Sequence, residues 1–252
     1  MITTIRRRLG DRDRGTSLVE MLMTMIIFGI VIAATASLTI GFARTNGQSV
    51  SRQDQIDVAR TTVETVSKKL RTAVMPSQLT STCTLCTQDA FVVGKDYSVQ
   101  FYANINNPGN TVGPSRVTYA ITATGTGVGT LVEKVQTPDS NVPTSSGYVY
   151  CDAEASGATS LCKARLNTQT LARGVQTATG TPMFAYYDGA GTRLLPASGA
   201  SLSATDLSHV LAIELTVTVQ AQNTTRVRPT TYIQRLTLPN AQAILRQEDD
   251  GS

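Results

Sequence analysis

A stretch of 23 residues without a charged side chain constrains this chain more than any other feature. It runs from Met21 to Ala43, between Glu20 and Arg44. As an α-helix it would be roughly 35 Å long, enough to cross the roughly 30 Å hydrocarbon core of a bilayer. A buried core helix of this length would be unusual, and a cleavable secretory signal has a shorter apolar region. The sequence therefore predicts a membrane-spanning helix.

Positive charge is concentrated before this segment. The chain of 252 residues has a net charge of +4, of which residues 1–15, with five arginines and two aspartates, carry +3. Arginines that flank a membrane helix favour the cytoplasmic side. We therefore expect residues 1–15 in the cytoplasm and the residues after Ala43 outside it. Because the excess charge lies in a short leader, it does not indicate a nucleic-acid-binding face.

Glu20 lies near the start of an otherwise apolar run. A carboxylate at the centre of a bilayer costs about 2.5–3.5 kcal/mol on insertion scales, and less near an interface. Ionisable residues inside membranes usually have a partner, and one buried polar residue can fix the register of packed helices. Alternatively, Glu20 lies at the headgroup level and is simply solvated. The physical chemistry of the residues leaves both interpretations open.

The residues around Glu20 resemble a known signature. Gly15 followed by TSLVEMLMTMIIF is similar to the N-terminus of type IV prepilins and type II secretion pseudopilins. This resemblance implies that a prepilin peptidase cuts after Gly15 and methylates the new N-terminus at Thr16. It also implies that Glu20, the fifth mature residue, acts in subunit assembly. The family usually has Phe or Met where this chain has Thr16. Residues 1–15 would then be a cleaved leader peptide, and residues 16–43 a transmembrane and filament-core helix.

An apolar stripe at helical period follows the membrane segment. Its members are spaced three or four residues apart: Ile56, Ala59, Val63, Val66, Leu70 and Val74. We expect an amphipathic helix within residues 44–75 that ends before Pro76, because proline cannot continue a helix. The stripe would pack on a domain. Asn46 and Gly47 are candidates for a bend or partial melting of the long helix at the bilayer surface.

Residues 76–246 are predicted to form a β-rich extracytoplasmic head. Short runs rich in β-branched and aromatic residues predict strands. The runs are 91–105, 116–123, 129–137, 182–188, 209–222 and 231–239. Turn signals separate them at 106–110, 125–129 and 188–191.

The fold class predicted from these patterns is α+β, with a long N-terminal helix packed on an antiparallel β-sheet head. The last two runs are expected to be antiparallel neighbours. The sequence GTGVG at 125–129 is expected to be a hairpin turn, because a phosphate-binding loop should open a helix and this one opens a strand. Residues 247–252 are expected to be a flexible tail.

Three further stretches extend the resemblance. They are VTYAITA…GTLVEKV, LARGVQTATGTPMFAYYDGAG and HVLAIELTVTV…RLTLPN. Their order is similar to that in the J-type minor pseudopilin and the W-type minor pilin, whereas residues 137–170 have no counterpart. The resemblance implies a structural subunit of a type IV pilus or type II secretion-like filament. Its partners would be prepilin peptidase, other pilin or pseudopilin subunits, an assembly platform in the cytoplasmic membrane and the lipid bilayer, with nucleic acid only in a competence system.

Four cysteines follow the membrane segment. Cys83 and Cys86 form a CxxC motif, and ten residues separate Cys151 from Cys162. An extracytoplasmic location favours disulfides over free thiols. A zinc site would prefer two closely spaced pairs, and a redox motif would need a βαβ context. Of the three possible connectivities we favour Cys83–Cys86 with Cys151–Cys162.

Few residues suggest catalysis. His209 is the only histidine, and no Ser–His–acid spacing is recognisable around it. Glu248, Asp249 and Asp250 lie in the tail, and no calcium-binding loop pattern is present. We expect neither an enzyme nor a cofactor. The alternative interpretation is a single-pass, signal-anchored extracellular binding or adhesin domain that does not polymerise.

Overall fold

The computed structural model describes residues 17–79, 88–125, 127–177, 181–220 and 227–240. Within these ranges one long helix precedes nine strands and two short helices. The helices are α1 (Leu18–Leu70), α2 (Ser160–Ala164) and α3 (Ala204–Ser208). The strands are β1 (Phe91–Lys95), β2 (Ser98–Ala103), β3 (Ser115–Gly125), β4 (Val128–Gln136), β5 (Leu166–Gln176), β6 (Phe184–Tyr187), β7 (Arg193–Leu194), β8 (Ala212–Val219) and β9 (Thr230–Thr237).

The strands form one antiparallel sheet. Its order is β1-β2-β3-β4-β5-β8-β6-β7, and β9 pairs with β8 outside this path. Eight consecutive residue pairs join β8 to β9, from Ala212–Thr237 to Val219–Thr230. The α+β class and the antiparallel pairing of the last two runs are therefore confirmed. GTGVG joins the paired strands β3 and β4, as expected of a hairpin turn.

The chain divides into two compact units, residues up to Ser49 and residues from Val50 onward. In the first unit α1 contains an 18-residue window with a mean hydropathy of 2.3, none of which is buried. The helix is thus long and apolar enough to cross a membrane. Asn46 and Gly47 are both helical, so the partial melting expected at these residues is not found.

In the second unit the predicted stripe on α1 is buried. Ala59, Val63, Val66 and Leu70 are each 0% exposed, which confirms that this face packs on the head. The helix ends at Leu70, a few residues earlier than predicted. The chain then turns to pair with β2, because Ala73 bridges Ala103 and the Val74 amide donates to the Tyr102 carbonyl (2.9 Å).

The sheet has an inner face in the core and an outer face on the other side. Alternation along β3 and β4 buries Val117, Tyr119 and Leu131 on the inner face and leaves Arg116 and Lys134 on the outer face. Aromatic rings continue the core from strand to strand. The ring centroids of Phe91 and Phe101 are 5.9 Å apart, and those of Phe101 and Tyr119 are 6.2 Å apart, a spacing typical of favourable aromatic pairs.

The run 91–105 was predicted as one strand, and this prediction is wrong. It forms the hairpin β1–β2, in which Lys95 pairs with Ser98 across a two-residue turn. The turn is fixed from outside the run, because the Asp96 carbonyl accepts the amides of Met183 and Phe184 (2.9 and 3.0 Å). Local propensity did not separate the two strands, since both contain apolar residues on both sides of the turn.

Four elements were missed in the sequence. In β5 four consecutive residues, 167–170, are exposed, so it has no apolar alternation to detect. The strand β7 has two residues, and α2 and α3 have five each. Such short elements are stabilised by tertiary contacts rather than by propensity.

A buried carboxylate joins α1 to the inner face of the sheet. Glu133 of β4, whose side chain is 4% exposed, forms an ion pair with Lys69 of α1. It also accepts a hydrogen bond from the Tyr119 hydroxyl at 2.7 Å. Burial raises the pKa of Tyr119 far above its ordinary value, and the hydrogen bond and charge of Glu133 raise it further. The phenol therefore stays a donor, and both oxygens of the carboxylate have partners.

We expect Glu133→Ala to lower the free energy of unfolding by about 2–4 kcal/mol, because the Tyr119 hydroxyl and the Lys69 ammonium lose their acceptor. Denaturant unfolding followed by near-UV circular dichroism measures this. The control is Glu64→Ala, which removes an exposed carboxylate paired with Arg60 on the same helix and should change little. Equal effects of the two substitutions would contradict a structural role for the buried carboxylate.

Candidate functional site

Ser17 caps the start of α1. The Glu20 amide donates to both the hydroxyl and the carbonyl oxygen of Ser17, at 3.2 and 2.9 Å. Ser17 and Glu20 thus have the S-x-x-E spacing of a capping box, in which the glutamate occupies the third helical position. The sequence analysis overlooked this pattern, although the spacing is visible in the sequence. Glu20 therefore fits the helix start as well as any role between molecules.

Glu20 is exposed in the first turn of α1, where the helix dipole favours a negative charge. No described residue bonds to its carboxylate. Gly15 and Thr16, the predicted cleavage and methylation positions, lie outside the described residues. Among the N-terminal residues singled out in the sequence, only Glu20 therefore has a described position.

The first unit of α1 has no protein cover among the described residues. From Leu18 to Phe42 its large apolar side chains are 50–81% exposed. Its hydroxyl groups turn back onto the helix: Thr24 donates to the Met21 carbonyl, Ser37 to Ala33 and Thr39 to Thr35, each at 2.8 Å. Polar groups that are satisfied within the helix suit a medium that offers no hydrogen bonds. This surface fits a bilayer or the apolar faces of other helices.

A disulfide joins Cys151 to Cys162. One of the two disulfides favoured in the sequence is therefore present, whereas Cys83 and Cys86 lie outside the described residues. Cys162 is in α2, which is capped by Thr159: the Thr159 hydroxyl accepts the Cys162 amide at 3.2 Å. The bond closes a loop across 11 residue positions just before β5.

The segment before this disulfide lies against the outer face of the sheet. Tyr150 stacks on Tyr102 (centroids 5.6 Å apart), and the Arg116 guanidinium lies 4.8 Å above the Tyr150 ring. Burial, followed by proximity to Tyr102, raises the pKa of Tyr150 well above its ordinary value. The Gln136 amide donates to the Cys151 carbonyl at 2.6 Å. Residues 137–159, for which the resemblance offered no counterpart, thus cover part of the sheet.

A small polar cavity of about 100 Å³ lies beside this segment. Its charged side chains already have partners, since Arg116 donates to Gln136 (2.6 Å) and Lys134 pairs with Glu154 (2.6 Å). His209 ends α3, with its Nδ1 2.7 Å from the Thr205 carbonyl. Within the described ranges, no group of three or more His, Cys, Asp or Glu residues is placed to hold a metal ion.

A long N-terminal apolar helix followed by an antiparallel sheet defines the class of protein. Comparison with family models then adds a specific match: residues 11–36 fit the prokaryotic N-terminal methylation motif. The chain therefore carries the type IV prepilin-like signal, which supports a type IV pilin-like precursor. The match and the apolar helix together fit a single-pass membrane-anchored protein. Comparisons with curated proteins and with solved structures found no match.

We expect the double substitution Cys151→Ser with Cys162→Ser to lower the free energy of unfolding by about 2–3 kcal/mol, the value for a closed loop of this length. It should also increase the exposure of Tyr150. Denaturant unfolding and tyrosine fluorescence quenching measure the two effects. Ser156→Ala, an exposed substitution in the same loop, is the control. The prediction is wrong if the double variant and the control unfold at the same denaturant concentration.

Proposed function

We propose that this protein is a minor pilin or pseudopilin, a structural subunit of a type IV pilus or a type II secretion-like filament. One observation carries the proposal: the N-terminal methylation motif continues directly into a helix whose apolar side chains have no described cover. Such a helix needs an apolar environment before and after processing. A bilayer supplies the first environment, and the core of a helical filament supplies the second.

In this proposal prepilin peptidase cuts after Gly15. A residue without a side chain suits this position because the peptidase must approach the backbone closely at the bilayer surface. Cleavage frees an α-amine at Thr16, which becomes the methylated N-terminus. The apolar helix stays on the mature chain, because the cut precedes it.

Glu20 would then set the axial register of assembly. Its carboxylate is exposed in the described chain, and a buried carboxylate requires a cationic or hydrogen-bonding partner. The N-terminal amine of a neighbouring subunit is the nearest cation that processing creates. A subunit placed one turn out of register would leave both charges without a partner in an apolar core, so pairing favours one position over its neighbours.

The proposed location is the cytoplasmic membrane, with the N-terminus in the cytoplasm and the head outside, followed by a periplasmic or cell-surface filament. The partners are prepilin peptidase, other pilin or pseudopilin subunits, the assembly platform and lipid. Nucleic acid is a partner only in a competence system. The role is structural rather than enzymatic. The J-type and W-type subunits remain the proposed nearest types, on the resemblance of the head sequence.

We expect Gly15→Leu to block processing, because a branched side chain prevents the close approach of the peptidase. The precursor, longer by 15 residues, would accumulate in cells that contain prepilin peptidase, as seen by gel mobility and N-terminal mass spectrometry. The matched control is Gly41→Leu, since a Cβ at Gly41 meets no atom within 4 Å. Normal processing of the Gly15 variant would exclude this cleavage site and favour a signal-anchored binding domain.

Two substitutions separate the roles of Glu20. Glu20→Gln keeps a capping-box side chain but removes the charge, whereas Glu20→Leu removes both. If pairing with an amine sets the register, both variants should insert in the membrane but be lost from sheared filaments, detected by immunoblotting. Incorporation of the Gln variant at the wild-type level would sink the register proposal and leave a capping role.

A further inference from the structure

The strand β5 has an edge that is open over its first six residues. It pairs with β4 along its whole length, from Leu166–Gln136 to Gln176–Val128. On its other side β8 joins it only at Val175–Val219, supported by the Gln220 amide, which donates to the Gly174 carbonyl at 2.9 Å. No described residue pairs with that side of the segment from Leu166 to Leu171. We call this segment the β5 edge; it is roughly 20 Å long.

The β5 edge lacks the features that usually protect exposed strands. Natural sheets protect their edges with charged residues, proline, bulges or a covering segment. The sequence of the edge, LNTQTL, has neither a charge nor a proline. By contrast β1, at one end of the sheet, is covered, since the Leu202 amide donates to the Gly94 carbonyl (2.8 Å) and Ser201 accepts the Gly94 amide (2.9 Å).

A groove of about 680 Å³ runs beside the edge, between the inner face of β4 and β5 and one side of α1. Asn167 and Gln169 of the edge line it, together with Lys68, Lys69 and Arg165. Glu133 is the only acidic residue in the lining. The groove therefore has a positive balance, and an edge strand added to β5 would direct every second side chain into it.

The charges of the groove are unequally available. Lys69 is paired with Glu133, and Arg165 with Asp139 at 2.9 Å. Lys68 is exposed and forms no ion pair with a described residue. An occupant with acidic side chains would complement Lys68 directly and would also lie within the field of the other two cations.

We propose that the β5 edge and its groove bind an extended acidic segment of a partner protein by β-strand addition. The partner backbone would pair with the free amides and carbonyls of the edge, which supplies affinity without regard to sequence. Acidic side chains at alternate positions would face the groove, which supplies selectivity. This inference concerns the head only and does not depend on filament assembly.

The experiment uses the full chain in detergent and a synthetic eight-residue peptide of alternating Thr and Glu. We expect the peptide to bind and to slow amide hydrogen exchange in Leu166–Leu171 at least about tenfold, because strand addition protects the edge amides. Binding should weaken as salt increases. A Thr–Lys peptide should bind at least about tenfold more weakly, and a Thr–Glu peptide N-methylated at alternate residues should give no protection.

Two protein variants localise the binding. Lys68→Glu should reduce the affinity for the Thr–Glu peptide about three- to tenfold, as expected for reversal of one exposed charge pair. Arg71→Glu makes the same charge change on α1 outside the groove lining and should have little effect. Equal loss in both variants, or equal binding of the N-methylated peptide, would overturn strand addition in this groove.

Two further outcomes would also overturn the proposal. One is that the edge of the full chain is already protected without peptide, and that truncation after Asn240 removes this protection. The occupant would then be the chain's own C-terminal segment. The other is protection that rises with protein concentration in the absence of peptide, which would identify a second copy of the chain as the occupant.

Discussion

The head depends on the packing of one face of α1 against the inner face of the sheet. Four apolar residues of that face, from Ala59 to Leu70, are completely buried. A charge lies among them, because Glu133 reaches Lys69 and Tyr119 from the sheet side. A buried ion pair adds little net stability compared with apolar packing, but losing one partner is costly. The pair therefore works against any shift of the helix by one turn and fixes which part of α1 lies over β3 and β4.

The same helix has two chemically distinct parts. Up to Phe42 its large side chains are apolar and exposed on all sides, and its hydroxyls bond to carbonyls one turn earlier. From Gln55 onward a single face is buried. A segment that is apolar all round suits an apolar surrounding, whereas a one-sided segment suits a protein surface in water. The methylation motif on residues 11–36 precedes and overlaps the first of these parts, which is where a pilin-like precursor needs it.

The sheet is completed by segments that are not strands. Residues 201–202 cover β1, and residues 137–159, joined to α2 by the Cys151–Cys162 disulfide, cover part of the outer face. Their hydrogen bonds go mainly to backbone groups and to side chains such as Gln136. The first half of β5 lacks such a cover among the described residues, and this makes it the part of the head most suited to another polypeptide.

The sequence by itself determined the elements that have a strong local signal. The uncharged run, the helical stripe and the β-branched runs fix the long helix, its buried face and most strands, because each depends on a periodicity of neighbouring residues. The leader pattern around Gly15 and Glu20 is likewise local, and the motif match agrees with it. Only the tertiary structure decided the turn at Asp96, the polar strand β5 and the cover formed by residues 137–159. Each of these depends on a contact with a distant residue, such as Asp96 with Met183 or Tyr150 with Tyr102. The pairing of Glu133 with Lys69 and Tyr119 also could not be read from the chain, since no spacing in the sequence shows that the three side chains meet.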